Sequence, residues 1–178
     1  MRRVVTSIPG AYVLDLERRD DERGFFATMW TPQLFASLGL TTDVMQCSVA
    51  FNHRAGTLRG MHYQAAPHEE VKIVRCSRGA LYDVLVDLRP DSPTYTRWIG
   101  VELTPFNDRV LYVPKGIAHG YQTLVDDTEI TYLISETYTP SHGRGVRWND
   151  PAFAIDWPDA AGTRIINARD AGYPDFAG

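Results

Sequence analysis

The chain is poor in cysteine, with only Cys47 and Cys76 among 178 residues. That excludes a disulfide framework and offers no zinc-type spacing. Both cysteines are read as small buried thiols in a reducing compartment. No run approaches the ~20 apolar residues that cross a bilayer. The opening MRRVVTSIPGAYV has two arginines but no long apolar stretch behind them, so no signal peptide is expected. Positive charge is not in excess either. Eighteen Lys and Arg stand against 22 Asp and Glu, a formal charge of −4, which argues against a protein whose main partner is nucleic acid. A local arginine cluster can still serve a small anionic ligand. Internal repeats, linkers and low-complexity tracts are also lacking. These absences together predict a soluble, cytoplasmic protein with neither a nucleic-acid nor a membrane partner.

What is present favours strands. Apolar residues make up 44% of the chain, enough for a real core. Eleven prolines and 14 glycines supply turns, and nine tyrosines with seven phenylalanines suit sheets better than helices. Residues 4–16 read as one or two early strands, followed by Asp20–Gly24 as a turn and Phe25–Trp30 as a strand. Further strands are predicted over Val44–Phe51, Thr57–Gln64, Val71–Cys76, Ala80–Leu88, Trp98–Leu103, Arg109–Val113, Gly120–Leu124 and Glu129–Glu136. Short strands at such regular intervals predict a mainly β fold, a sandwich or barrel, with a jelly roll among the options. One helix is expected over 31–39, with Thr31 as N-cap, Pro32 at its first position and Gly39 at its C-terminal cap. The segment 149–178 is rich in turn residues and is expected to pack through Phe153, Ile155 and Trp157.

The stretch Thr57–Arg75 carries the densest chemistry. Arg59 can grip an anion, and His62 can take or give a proton near neutral pH. Lys72 stands inside an apolar strand, where a charge is costly without a partner or a task. Alternate residues of a strand share a face, so His62, Lys72 and Tyr132 can face one cavity. Arg59 has the opposite parity to His62 and points away unless Gly60 marks a bulge. Arg23, held by Gly24 beside Phe25 and Phe26, can meet a phosphate while a ring meets a base. Tyr112–His119 contains a Pro-x-Gly-x-x-His turn that resembles the second cupin motif. The place of the first motif reads His62-Tyr63-Gln64, one histidine short. A three-ligand site from His62, Glu70 and His119 is conceivable. A metal-dependent cupin and a non-catalytic sugar-nucleotide-binding cupin therefore stand as alternatives.

An ordered set of motifs then narrows the reading. Arg23-Gly24-x-Phe26, Leu58-Arg59-Gly60-Met61-His62-Tyr63-Gln64, Lys72 and Asp83-Val84-x-Val86-Asp87-Leu88-Arg89 come first. Ser92-Pro93-Thr94, Pro114-x-Gly116-x-x-His119-Gly120, Tyr132, Tyr138-x-Pro140 and Trp148-x-Asp150-Pro151 follow. From about residue 8 to 175 the chain resembles the dTDP-4-dehydrorhamnose 3,5-epimerase family. The resemblance implies a single cupin-type jelly-roll domain over residues 1–178 with one or two short peripheral helices, usually a homodimer. It implies a nucleoside-diphosphate 4-keto-6-deoxyhexose as substrate, with neither metal nor organic cofactor. The reaction is epimerisation at C3, C5 or both, in deoxysugar biosynthesis. By resemblance His62 is the base, Asp170 holds its imidazole, Lys72 stabilises the enolate and Tyr132 protonates the opposite face. Arg59 and Arg23 match diphosphate-binding residues, with Phe26, Gln46, His119 and Tyr138 completing the substrate-binding set. In the family, Arg23 and its neighbouring phenylalanine can come from the partner subunit. Thr28 stands where rhamnose enzymes often carry a glutamate, and Met45-Gln46-Cys47-Ser48 replaces their Gln-x-Asn pair. The loop Phe51–Thr57 also looks longer than in those enzymes. These departures leave the nucleotide (dTDP, GDP or CDP) and the choice between C3, C5 and both open.

Overall fold

The computed structural model describes residues 1–160 and 162–178. In chain order its elements are β1 (Arg2–Val5), β2 (Tyr12–Asp15), β3 (Arg19–Asp21), β4 (Gly24–Phe26), α1 (Pro32–Ser37), β5 (Gln46–Asn52), β6 (Leu58–Gln64), β7 (Lys72–Arg78), β8 (Leu81–Asp87), β9 (Trp98–Leu103), β10 (Arg109–Val113), β11 (Ile117–Thr123), β12 (Thr128–Ile134), β13 (Gly143–Gly145) and α2 (Ala168–Ala171). A six-stranded sheet, β1-β2-β10-β7-β12-β5, faces a five-stranded sheet, β13-β6-β11-β8-β9, and β3-β4 forms a separate hairpin. The chain repeatedly crosses between the two antiparallel sheets, as a jelly roll does.

Alternation decides what lies between the sheets. Val74, Leu111 and Ile130 of the large sheet meet Leu81, Leu85, Leu103 and Tyr121 of the small one, all buried. The outer face of the small sheet is covered as well. Leu58, Val84, Val86 and Ala118 pack against Phe153 and Trp157 of the C-terminal segment, with Ile155 partly buried beside them. A strand covered on both faces has no solvent side to show, which is why β8 is apolar apart from Tyr82 and the buried Asp83 and Asp87. On the outer face of the large sheet, Phe35 of α1 packs against Leu14, Ile73 and Val110. The Thr31 hydroxyl caps α1 by accepting from the Leu34 N–H at 3.1 Å, Pro32 opens the helix, and Gly39 takes φ +69° just past its end.

Four local expectations change. The strand expected over Phe25–Trp30 ends at Phe26. The strand expected from Gly120 starts at Ile117, which moves His119 from a turn into β11. Gly143–Gly145 forms an edge strand that two glycines concealed, since glycine is depleted in strands. The turn-rich tail contains α2, capped by Asn167, whose side chain accepts from the Asp170 N–H at 2.7 Å. Of the two thiols, Cys76 is buried, and its pKa is raised to about 11, chiefly by burial. Cys47 is exposed, because it lies on the outward row of edge strand β5. Among the described residues no helix is long and apolar enough to cross a membrane.

Candidate active site

The site begins with a glycine. Along β11, His119 pairs with His62 and Tyr121 pairs with Arg59, so two steps on β11 span three on β6. The extra residue is a bulge, and Gly60 sits in it with φ +137°. A Cβ on Gly60 would lie 2.5 Å from the Cα of Gly120, so only glycine fits. The bulge breaks the strand's parity. Arg59 and His62 consequently line one cleft of about 400 Å³ at the open end of the sandwich.

Asp170 stands behind the imidazole. His62 Nε2 lies 2.8 Å from Asp170 Oδ1, and the Gly60 N–H donates to Asp170 Oδ2 at 3.1 Å. Burial pushes the Asp170 carboxyl up. The hydrogen bond and charge of His62, the Gly60 N–H and Arg169 outweigh it and hold the carboxyl below its ordinary value. An ionised Asp170 can only accept, so Nε2 carries the proton and Nδ1 keeps its lone pair. Lys72 Nζ donates to the His62 carbonyl at 3.2 Å and pairs with Glu70 at 2.9 Å. The ammonium is therefore fixed beside His62 while lining the cleft.

Across the cleft Tyr132 rises from β12, its ring edge-on to His119 at 6.2 Å between centroids. Burial first, then neighbouring Tyr121 and Asp83, raises its hydroxyl pKa well above the usual tyrosine value, and Arg59 only partly opposes them. These neighbours favour the neutral phenol at Tyr132. His119 Nε2 lies 2.9 and 3.1 Å from the two oxygens of buried Asp83, a shared contact that reaches both. Burial raises the Asp83 carboxyl pKa, against the pull of His119 and Lys72. Asn52 orients Arg59: its Oδ1 accepts from Arg59 Nε at 2.9 Å and from the Tyr121 hydroxyl at 3.2 Å.

Of the residues singled out from sequence, Gln46, Arg59, His62, Lys72, His119, Tyr132 and Tyr138 line this cleft, with Asp170 directly behind. Arg23 and Phe26 do not reach it. They lie on the exposed β3-β4 hairpin, where Arg23 pairs with Asp21 at 2.6 Å and Phe26 borders a second cavity with Arg18 and Thr28. His62, Glu70 and His119 each hold a different partner. Among the described residues no group of three His, Cys, Asp or Glu side chains is placed to hold a metal. Sequence reasoning missed Asn52, Asp83 and Tyr121. A charge inside an apolar strand, the signal that picked out Lys72, applies equally to Asp83. Asn52 was assigned to a turn and carried no such signal.

Comparison with known proteins fits this geometry. The profile of the family described as dTDP-4-dehydrorhamnose 3,5-epimerase matches residues 5–178. A dTDP-4-dehydrorhamnose 3,5-epimerase of Sinorhizobium fredii is 40% identical over 156 residues, covering 88% of this chain and 80% of that protein. A dTDP-4-dehydrorhamnose 3-epimerase of Streptomyces niveus is 38% identical over 171 residues, covering 96% of this chain and 81% of that one. The fold superposes with a TM-score of 0.91 on a dTDP-6-deoxy-D-glucose-3,5-epimerase of Legionella pneumophila, crystallised with dTDP-4-keto-L-rhamnose. That match is 32% identical and covers 97% of this chain and 90% of the other. With residues 5–178 matched by the family profile and relatives of 38–40% identity spanning most of both chains, the chain belongs to the dTDP-4-dehydrorhamnose 3,5-epimerase family.

Proposed function

We propose that the protein epimerises a nucleoside-diphosphate 4-keto-6-deoxyhexose at C3, C5 or both. The observation that carries this reading is one cleft with a carboxylate-backed histidine on one wall and a neutral tyrosine on the other. A C4 ketone makes the hydrogens on C3 and C5 acidic, because the carbanion left behind is an enolate. His62 Nδ1 removes the proton, and Asp170 stabilises the imidazolium that forms. The Lys72 ammonium stabilises the enolate oxygen. Tyr132 delivers a proton to the opposite face, which inverts the carbon; the tyrosinate then takes a proton from solvent and the His62 imidazolium returns one to it, restoring both groups. Arg59, held by Asn52, grips the diphosphate through charge-assisted hydrogen bonds. Gln46, His119 and Tyr138 complete the substrate contacts. The His119 ring stands edge-on to Tyr132, and its partner Asp83, with Tyr121, favours a protonated phenol.

The exposed Arg23 and Phe26 fit a homodimer in which the hairpin of one protomer reaches the cleft of its partner. A cytoplasmic location follows from the substrate class, since sugar nucleotides are made there. The two free thiols suit that compartment.

Solvent exchange tests the reading. In D₂O, with a panel of dTDP-, GDP- and CDP-linked 4-keto-6-deoxyhexoses, deuterium is expected at C3, C5 or both. His62→Ala is expected to slow the exchange about 10²–10⁴-fold while the fold survives. Labelling at one carbon alone identifies a mono-epimerase. A folded protein that labels none of these donors refutes the reading.

A further inference from the structure

Tyr173 lies just beyond α2, three residues past the aspartate that backs the base, and the reaction scheme above gives it no task. Its ring stands edge-on to the His62 imidazole, with centroids 6.4 Å apart and planes at 69°. Gly145 makes this possible. It pairs with His62 across β13 and β6, so a side chain on Gly145 would rise on the same side as the imidazole. A Cβ there would lie 2.2 Å from Tyr173 Cζ and 2.5 Å from its hydroxyl oxygen. The tyrosine ring thus occupies the slot that an absent side chain leaves beside the base. Its hydroxyl is buried without a well-formed hydrogen bond among the described residues. The Arg169 guanidinium faces it from one side, and the Asp170 carboxylate lies within its field.

We propose that Tyr173 is a positioning residue for His62: its ring, seated over Gly145, walls the imidazole and screens the His62–Asp170 hydrogen bond from water. The imidazole is part-exposed and opens to the cleft, so its rotamer is not fixed by burial alone. Asp170 holds it at Nε2, and Lys72 fixes the carbonyl of its backbone. Tyr173 supplies a lateral wall. The ring carries the role, because the hydroxyl makes no well-formed hydrogen bond among the described residues and only faces the Arg169 guanidinium, so its loss is expected to cost little. This inference rests on the reading of His62 as the base.

The test compares Tyr173→Phe, Tyr173→Ala and Gly145→Ala. Tyr173→Phe is expected to match wild type in kcat, KM and melting temperature. Tyr173→Ala is expected to lower kcat roughly tenfold with KM within about twofold, because a displaced base costs the chemical step and not substrate binding. Gly145→Ala expels the ring from the other side and is expected to reproduce the Tyr173→Ala defect. NMR gives a readout independent of turnover. The His62 Nε2–H resonance is expected to resist exchange with water in wild type and Tyr173→Phe, and to exchange rapidly in Tyr173→Ala. Wild-type kcat and a protected Nε2–H in Tyr173→Ala would overturn the proposal. So would a Tyr173→Phe variant as impaired as Tyr173→Ala. Failure of the epimerase reading looks different: wild type itself then labels no donor.

Discussion

In the proposed reaction His62 removes a proton from one face of the sugar and Tyr132 delivers one to the other, and their environments differ accordingly. Asp170 gives His62 a carboxylate partner, whereas Tyr132 has desolvation and the Asp83 charge, both of which oppose ionisation. Removing one group therefore does not mimic removing the other. Tyr132→Phe is expected to lower net epimerisation about 10²–10⁴-fold, while His62 still draws deuterium into the same ring carbon with retention. NMR of the recovered sugar in D₂O separates the two events; loss of both together would place Tyr132 in some other role. At this scale the sequence was legible in part. Lys72 declared itself as a charge among valines and isoleucines. Asp170 did not, because its partner is 108 positions away and nothing near it in the chain is unusual. The family resemblance identified it, and the fold supplied the reason.

Between elements, the decisive contact joins β6 and β11. Their backbones meet at Gly60 and Gly120, and the bulge there turns Arg59 into the cleft that His62 occupies. Gly60→Ala combines a disfavoured φ with a clash against backbone, and is expected to cost about 2–4 kcal/mol of stability. Urea unfolding measures that loss, and any protein that still folds is expected to bind nucleotide poorly because Arg59 is misaimed. An unchanged midpoint would mean that β6 can shed its bulge freely. Parity arithmetic left the direction of Arg59 unresolved, since a bulge is a tertiary fact: it depends on what the neighbouring strand allows. Regular strands such as β8 and β12 were plain from their apolar runs and turn signals. Edge strand β13 and helix α2 were not, because they owe their form to β6 and to the Asn167 cap rather than to apolar periodicity.

For the whole molecule, the question is what the β3-β4 hairpin serves. Phe25 and Phe26 are exposed on it, and among the described residues Arg23 pairs with Asp21 of the same hairpin. The proposed homodimer gives these residues a place in a partner's cleft, and complementation tests it. His62→Ala and Arg23→Ala protomers are each expected to be weak alone. Mixed after reversible dissociation, they form hybrids in which one cleft is doubly defective and the other fully equipped. Statistical pairing then restores about a quarter of wild-type activity; no gain on mixing would show that Arg23 acts within its own protomer or not at all. The bulge at Gly60 has one more consequence. Arg59 and His62, the proposed anion grip and proton acceptor, ride on the single strand β6, so no loop can slide one relative to the other. In the proposed reaction the cleft therefore acts as a caliper, set by backbone geometry, for the span from phosphate to sugar ring.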